Sequence, residues 1–201
     1  MTCRSWPRLL LYFSCILLAL VNISHAADPC RSGLDPGQRP GPYAAVISTG
    51  PERGKAHCYI CATGDRPAVV VFARRLSEPL AKLCQQLDQA LAEHEKAELR
   101  AWVTFLSADQ LSLDPRIVQW AKKYALRSVP LGVFEDAGVP PSYRLARDAD
   151  VTVVLFVKQK AVANFAFREG ELSKEKVALV MQALRKVVAA NKPATATTEG
   201  P

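Results

Sequence analysis

The residues of this chain best suited to chemistry are two cysteines separated by two positions, in the run His57-Cys58-Tyr59-Ile60-Cys61. A C-x-x-C pair can hold a reversible disulfide and so pass two electrons to or from a partner's thiols. The spacing allows this only where the backbone bends. In an extended strand residues 58 and 61 point to opposite faces, their Cα atoms about 10 Å apart, which is too far for a bridge. A turn, or the start of a helix, brings them together. His57 next to Cys58, with Lys55 and Arg53 nearby, favours a thiolate. Cys58 is therefore the expected nucleophile and Cys61 the resolving thiol, with the reverse order also open.

The same pair has plainer readings, as a structural disulfide or as two unreactive thiols. A structural zinc site wants four ligands, often two from each of two knuckles. Cys30, His57 or His94 would have to complete one here without a second C-x-x-C, so no metal is expected. Ala62, not histidine, directly follows Cys61, which argues against covalent haem attachment. No cofactor is expected.

The first residues read as an address. Arg4 and Arg8 precede an apolar run over 9–21, and Ser24-His25-Ala26 places small residues where a signal peptidase reads. The run is shorter than the roughly 20 residues that span a bilayer. Residues 1–26 are expected to be a cleaved signal peptide, leaving an exported protein, periplasmic or secreted, with no membrane span. Cleavage removes Cys3 and Cys15 and lowers the net charge from +7 by two arginines. The remaining surplus is spread along the chain without a basic run, so no nucleic-acid partner is expected. Cys30, Cys58, Cys61 and Cys84 remain, and an oxidising compartment permits disulfides in any of three complete pairings.

These cysteines must be positioned by an alternation of strands and helices. Residues 27–42 are rich in Pro and Gly and read as an irregular lead-in; 191–201 read as a disordered tail. Between them, 43–190 form one domain. Strands are predicted over 43–49, 68–73, 101–106, 129–134, 151–157 and 161–167, the last two joined by a hairpin at Lys158-Gln159-Lys160. The apolar run 68–73 suits a strand covered on both faces. Ser77 is placed to cap a helix with Glu78 and Pro79 in its first turn and Leu80, Leu83, Cys84, Leu87 and Leu91 along one face. Cys84 on that stripe reads as a small hydrophobe. Asp114-Pro115 opens a second helix, 143–149 a short helical segment, and Ser173 caps a closing helix. The expected parallel partners of strand 68–73 are 101–106 and 151–157, linked by right-handed crossovers.

This order resembles the thioredoxin-like superfamily, in the version with extra elements found in peroxiredoxins and periplasmic thiol-disulfide proteins. Three local matches over 43–190 carry it. Val70-Val71-Phe72 is similar to the family's central strand, with Ser77 at the spacing of its first active cysteine. Residues 143–156 resemble the segment that delivers a cis-proline, and the closing hairpin and helix match in kind. The resemblance implies an α/β sandwich, a mixed central sheet with helices on both faces. It also implies an active-site dithiol at Ser77 and Leu80, where this chain has none, and a proline near Val151, also missing.

Two functions follow. The first is an exported thiol-disulfide oxidoreductase or redox sensor acting through the displaced Cys58 and Cys61, with protein thiols or disulfides as partners. The second is a redox-inactive module with a structural disulfide, binding a protein partner through a surface rebuilt around Arg74, Arg75 and Ser77. The two arginines after the strand suit an anionic or acidic partner, and equally a solvated strand end. The C-x-x-C pair favours the first.

Overall fold

Strand β3 (Ala68–Ala73) is buried at every position. Its odd-numbered side chains, Val69, Val71 and Ala73, enter one core, while Val70 and Phe72 enter another. The computed structural model describes residues 28–191; the expected leader over 1–26 lies outside them, as does all of the expected tail except residue 191. The strands form one seven-stranded sheet in the order β2-β1-β5-β4-β3-β6-β7. They are β1 (Ala45–Thr49), β2 (Ala56–His57), β4 (Arg100–Phe105), β5 (Leu131–Phe134), β6 (Val151–Val157) and β7 (Lys160–Phe167).

The β3, β4 and β5 strands run parallel. Strand β6 lies beside β3 as expected but antiparallel, Ala73 facing Val151 and Ala68 facing Phe156. The reason lies in the connection. The chain leaves β5 at the end of the sheet where β3 also finishes, and residues 135–150 cross that end without climbing back. An apolar run covered on both faces looks alike in either direction.

Helix α2 (Glu78–Glu93) begins where Ser77 Oγ accepts the N–H of Leu80 at 3.3 Å. It buries Leu80, Leu83, Cys84 and Leu87 completely. Helix α3 (Gln110–Lys123) starts earlier than Asp114-Pro115 suggested: Asp109 caps it by accepting the N–H of Ser112 at 3.1 Å, and Pro115 lies inside. Burial of Leu113 as well as Ile117 requires the earlier turn to be helical. That packing outweighs the hydrogen bond Pro115 cannot donate. Helix α4 (Lys174–Ala190) is capped by Ser173 and buries Val177, Val180, Met181, Leu184 and Val188.

All three long helices bury their stripes in the core built on Val69 and Val71. For α2 and α3 this follows from topology, since the β3-α2-β4 and β4-α3-β5 crossovers step in the same direction across the sheet and share one hand. Among the described residues the opposite face carries a short helix, α1 (Tyr59–Thr63), a 3-10 turn at Pro141–Tyr143 and the lead-in, whose Leu34 is buried. The helical segment expected over 143–149 is reduced to that turn. The chain beyond it is held by outside groups: Ala146 N–H donates to Ser32 Oγ, and Arg74 donates to the carbonyls of Ala146 and Ala149. Tyr43 precedes β1 and points into this second core, sharing a hydrogen bond with Thr104 and accepting one from Trp102 Nε1, both at 2.8 Å. Strand β5 begins after Pro130, which has no N–H for the ladder. The hairpin loop is Lys158-Gln159, both at positive φ, as a two-residue hairpin of the favoured twist requires.

Candidate functional site

The bend that the cysteine pair requires is supplied by α1. Cys58 occupies its N-cap, Cys61 lies in its first turn, and their Cα atoms are 5.3 Å apart, joined by a disulfide. The Sγ of Cys58 accepts the N–H of Cys61 at 3.3 Å, while the Cys58 carbonyl accepts the N–H of Ala62 at 3.2 Å. Thr63 Oγ1 donates to the Tyr59 carbonyl at 2.8 Å, and Gly64, with φ of 59°, ends the helix. Positive φ favours glycine at such a stop. Ile60 anchors α1 in the second core and Cys58 packs half-buried beside it, leaving Cys61 exposed.

His57 ends β2 with its ring 4.3 Å from that of Tyr59. Tyr59 in turn stacks on Trp102 of β4 at 5.6 Å. Burial, with Glu52 nearby, pushes the Tyr59 hydroxyl up to about 12. The two other cations of the segment are engaged elsewhere: Lys55 pairs with Glu52 at 3.3 Å, and Arg53 donates to the Ser48 carbonyl at 2.8 Å. The donor recorded at Cys58 Sγ is the Cys61 N–H, while the His57 ring lies against Tyr59.

The structure thus gathers His57, Cys58 and Cys61 before the N-terminal end of β3. Arg74, Arg75 and Ser77 lie beyond its other end, about 20 Å away at ~3.3 Å per residue. There, Arg74 clamps the 146–149 chain, and Arg75 pairs with Asp150 at 2.9 Å and with Glu169. Those carboxylates hold the Arg75 guanidinium protonated even more firmly than usual. Ser77 is occupied as the cap of α2, and Asp150 precedes β6 where the resemblance implied a proline.

Cys30 and Cys84 are free thiols. Burial and the charge of Asp148 raise the Cys30 thiol. Cys84 is wholly buried, and desolvation, then Asp88, raise it strongly, as suits a core residue. Among the described residues no three metal-ligating side chains come together.

Sequence reasoning missed a cavity of about 330 Å³ against one face of α1, lined among others by His57, Tyr59, Ala62, Arg66, Arg100 and Trp102 and by neither cysteine. Tyr59, Ala62, Thr63 and Arg66 form one face of α1 and the turn after it. That helical spacing (i, i+3, i+4, i+7) was the available signal, too short to stand out in a five-residue helix.

The chain has the thioredoxin-like fold. It resembles a putative protein disulfide isomerase from Bacteroides thetaiotaomicron, at 15% identity over 80% of this chain and 95% of that chain, with a TM-score of 0.59. It is similar also to a putative thiol:disulfide interchange protein DsbE from Chlorobium tepidum (16% identity, 77% and 99% covered, TM-score 0.52). A third likeness is to peroxidoxin BcpB from Mycobacterium tuberculosis (14% identity, 78% and 97% covered, TM-score 0.54). No protein-family model matches the sequence, and neither does any curated protein. No helix among the described residues is long and apolar enough to cross a membrane.

Proposed function

We propose that this protein is an exported thiol-disulfide exchange protein whose working group is the Cys58–Cys61 disulfide. The observation that carries the reading is that the pair closes across the first turn of α1 with Cys61 exposed. Such a bridge spans a loop of four residues, for which chain entropy accounts for only about 2 kcal/mol, a modest return for a purely structural staple. The leader over 1–26, with Arg4 and Arg8 before the apolar run, supports delivery to a compartment where thiols oxidise. The partners are protein thiols or disulfides.

In the reducing direction the Cys58 thiolate attacks a substrate disulfide. A Cys58–substrate S–S bond forms, the substrate S–S bond breaks, and the departing sulfur takes up a proton. The Cys61 thiolate then attacks Cys58 Sγ, re-forming the intramolecular bridge and releasing the second substrate thiol. Two electrons and two protons pass to the substrate, and the oxidising direction is the reverse. His57 and the Cys61 N–H lower the cost of the Cys58 thiolate.

The test is exchange by the leaderless protein with a model disulfide and a dithiol donor. Either single cysteine substitution should stop turnover, and Cys61→Ala should accumulate a mixed disulfide through Cys58. If both substitutions leave exchange untouched, the reading fails. A bridge that supports folding yet never exchanges would instead mark the protein as a redox-inactive binding module.

A further inference from the structure

Building on the exchange reading, we infer that the cavity against the Tyr59–Ala62 face of α1 is a docking pocket for an aromatic side chain of the substrate polypeptide, with an acidic residue next to it. The cavity borders the face of α1 that carries Tyr59, Ala62 and Thr63, and the disulfide closes the first turn of the same helix. Neither cysteine lines the cavity, and helical spacing turns Cys61 away from it, but α1 is only five residues long, ~7.5 Å at ~1.5 Å per residue. A substrate cysteine a few residues along an extended chain, at ~3.3 Å per residue, therefore reaches around the helix to the sulfurs.

The walls define the occupant. His57, Tyr59 and Trp102 form a continuous aromatic run, with centroids 4.3 Å and 5.6 Å apart, and aromatic side chains pack favourably on such surfaces. The Tyr59 hydroxyl is buried without a hydrogen-bond partner, a polar group left for a ligand to satisfy. At about 330 Å³ the space is at the low end of ligand pockets, which suits one large side chain.

The rim supplies charge. Arg100 lines the cavity with no ion-pair partner among the described residues, and Arg66 has only Glu98, at 3.8 Å. Glu52, the acidic group in the lining, is paired to Lys55. An acidic residue beside the aromatic one therefore meets an uncommitted guanidinium, which can bind a carboxylate by two hydrogen bonds.

This can be tested without any exchange chemistry. The oxidised protein is titrated with a cysteine-free peptide containing Phe-Glu, and with its Ala-Glu and Phe-Lys counterparts, while amide shifts are followed by NMR. The Phe-Glu peptide should shift residues 57–66 and 100–102 and bind about tenfold or more tighter than either counterpart. Ala62→Trp, which fills the cavity from an exposed helix position, and Arg100→Glu should each abolish that advantage. Equal affinity for all three peptides, no binding, or shifts mapping elsewhere would overturn the pocket while leaving exchange by Cys58 and Cys61 standing. Conversely, selective binding by a protein that never exchanges would refute the redox reading and keep the pocket.

Discussion

The sulfur of Cys58 accepts the backbone N–H of Cys61 at 3.3 Å within the same turn that joins the two residues by a disulfide. The two cysteines are thereby made unequal. One sulfur has a donor aimed at it and sits at a helix N-cap. The other lies one turn further on, exposed to solvent. Hydrogen bonding to the charged form is one of the few ways a protein stabilises a thiolate.

Cys58 should accordingly be the more acidic thiol of the reduced protein. Thiolate absorbance of Cys61→Ala, which retains Cys58, should develop at lower pH than that of Cys58→Ala. Iodoacetamide should alkylate Cys58 faster than Cys61 near neutral pH. Coincident titrations in the two variants would remove the physical basis for naming Cys58 the nucleophile.

Substitutions at the far end of β3 should affect folding and spare exchange. Ser77→Ala removes the cap of α2 and should cost about 1 kcal/mol, read as a lower denaturant midpoint. Arg74→Ala removes two donors from the carbonyls of Ala146 and Ala149. It should cost about 2 kcal/mol and speed amide exchange over 144–151. Disulfide turnover of both variants, measured where they remain folded, should match the parent. A selective loss of turnover would place chemistry at the Ser77 end.

How much of this was legible in sequence depended on how local the signal was. Ser77, Glu78 and Pro79 mark the start of α2 because capping is settled within one turn, and Leu80, Leu83, Cys84 and Leu87 face the core as their spacing demands. The reversed direction of β6 was not legible, because direction is set by where residues 135–150 travel rather than by the strand's own composition. Likewise Asp114-Pro115 reads in sequence as the start of α3, whereas Asp109 caps it one turn earlier, where the helix also buries Leu113. The C-x-x-C pair could be seen, but its closure rested on α1, a helix too short to show a period. The cavity needed Arg66 and Arg100 to meet, which depends on β3 and β4 lying side by side.

Asp88 illustrates a long-range tie of the same kind. Its carboxylate accepts the N–H groups of Arg127, Ser128 and Val129 at 2.7–2.9 Å, fixing the chain that enters β5 against α2. Asp88→Ala should cost about 2 kcal/mol, more than a typical surface change, with Asp88→Asn recovering part of it. A thermal shift no larger than that of an ordinary surface substitution would show that water replaces the carboxylate at little cost.

The second core and α2 together set an alkaline limit to stability. Cys84 is fully buried and its thiol is raised above an ordinary value of 9.0, chiefly by desolvation and then by Asp88. Tyr43 and Tyr143 are raised above 10.0, again first by desolvation. For such acids the native state keeps its proton after the unfolded chain has released it. Above the unfolded value the unfolded state therefore binds fewer protons, and stability falls as pH rises. Well below pH 9 these groups are protonated in both states and impose no slope. Unfolding free energy should thus be level with respect to them up to about pH 9, then decline, first through Cys84 and from about pH 10 more steeply as the tyrosines join. Cys84→Ala should lower stability at neutral pH by removing a packed sulfur, and should make the decline between about pH 9 and pH 10 shallower, leaving there the smaller part that the raised Cys30 thiol contributes. Denaturant titrations of parent and variant between pH 7 and 11 check this, and an unchanged slope over that interval in the variant would show that Cys84 does not set it.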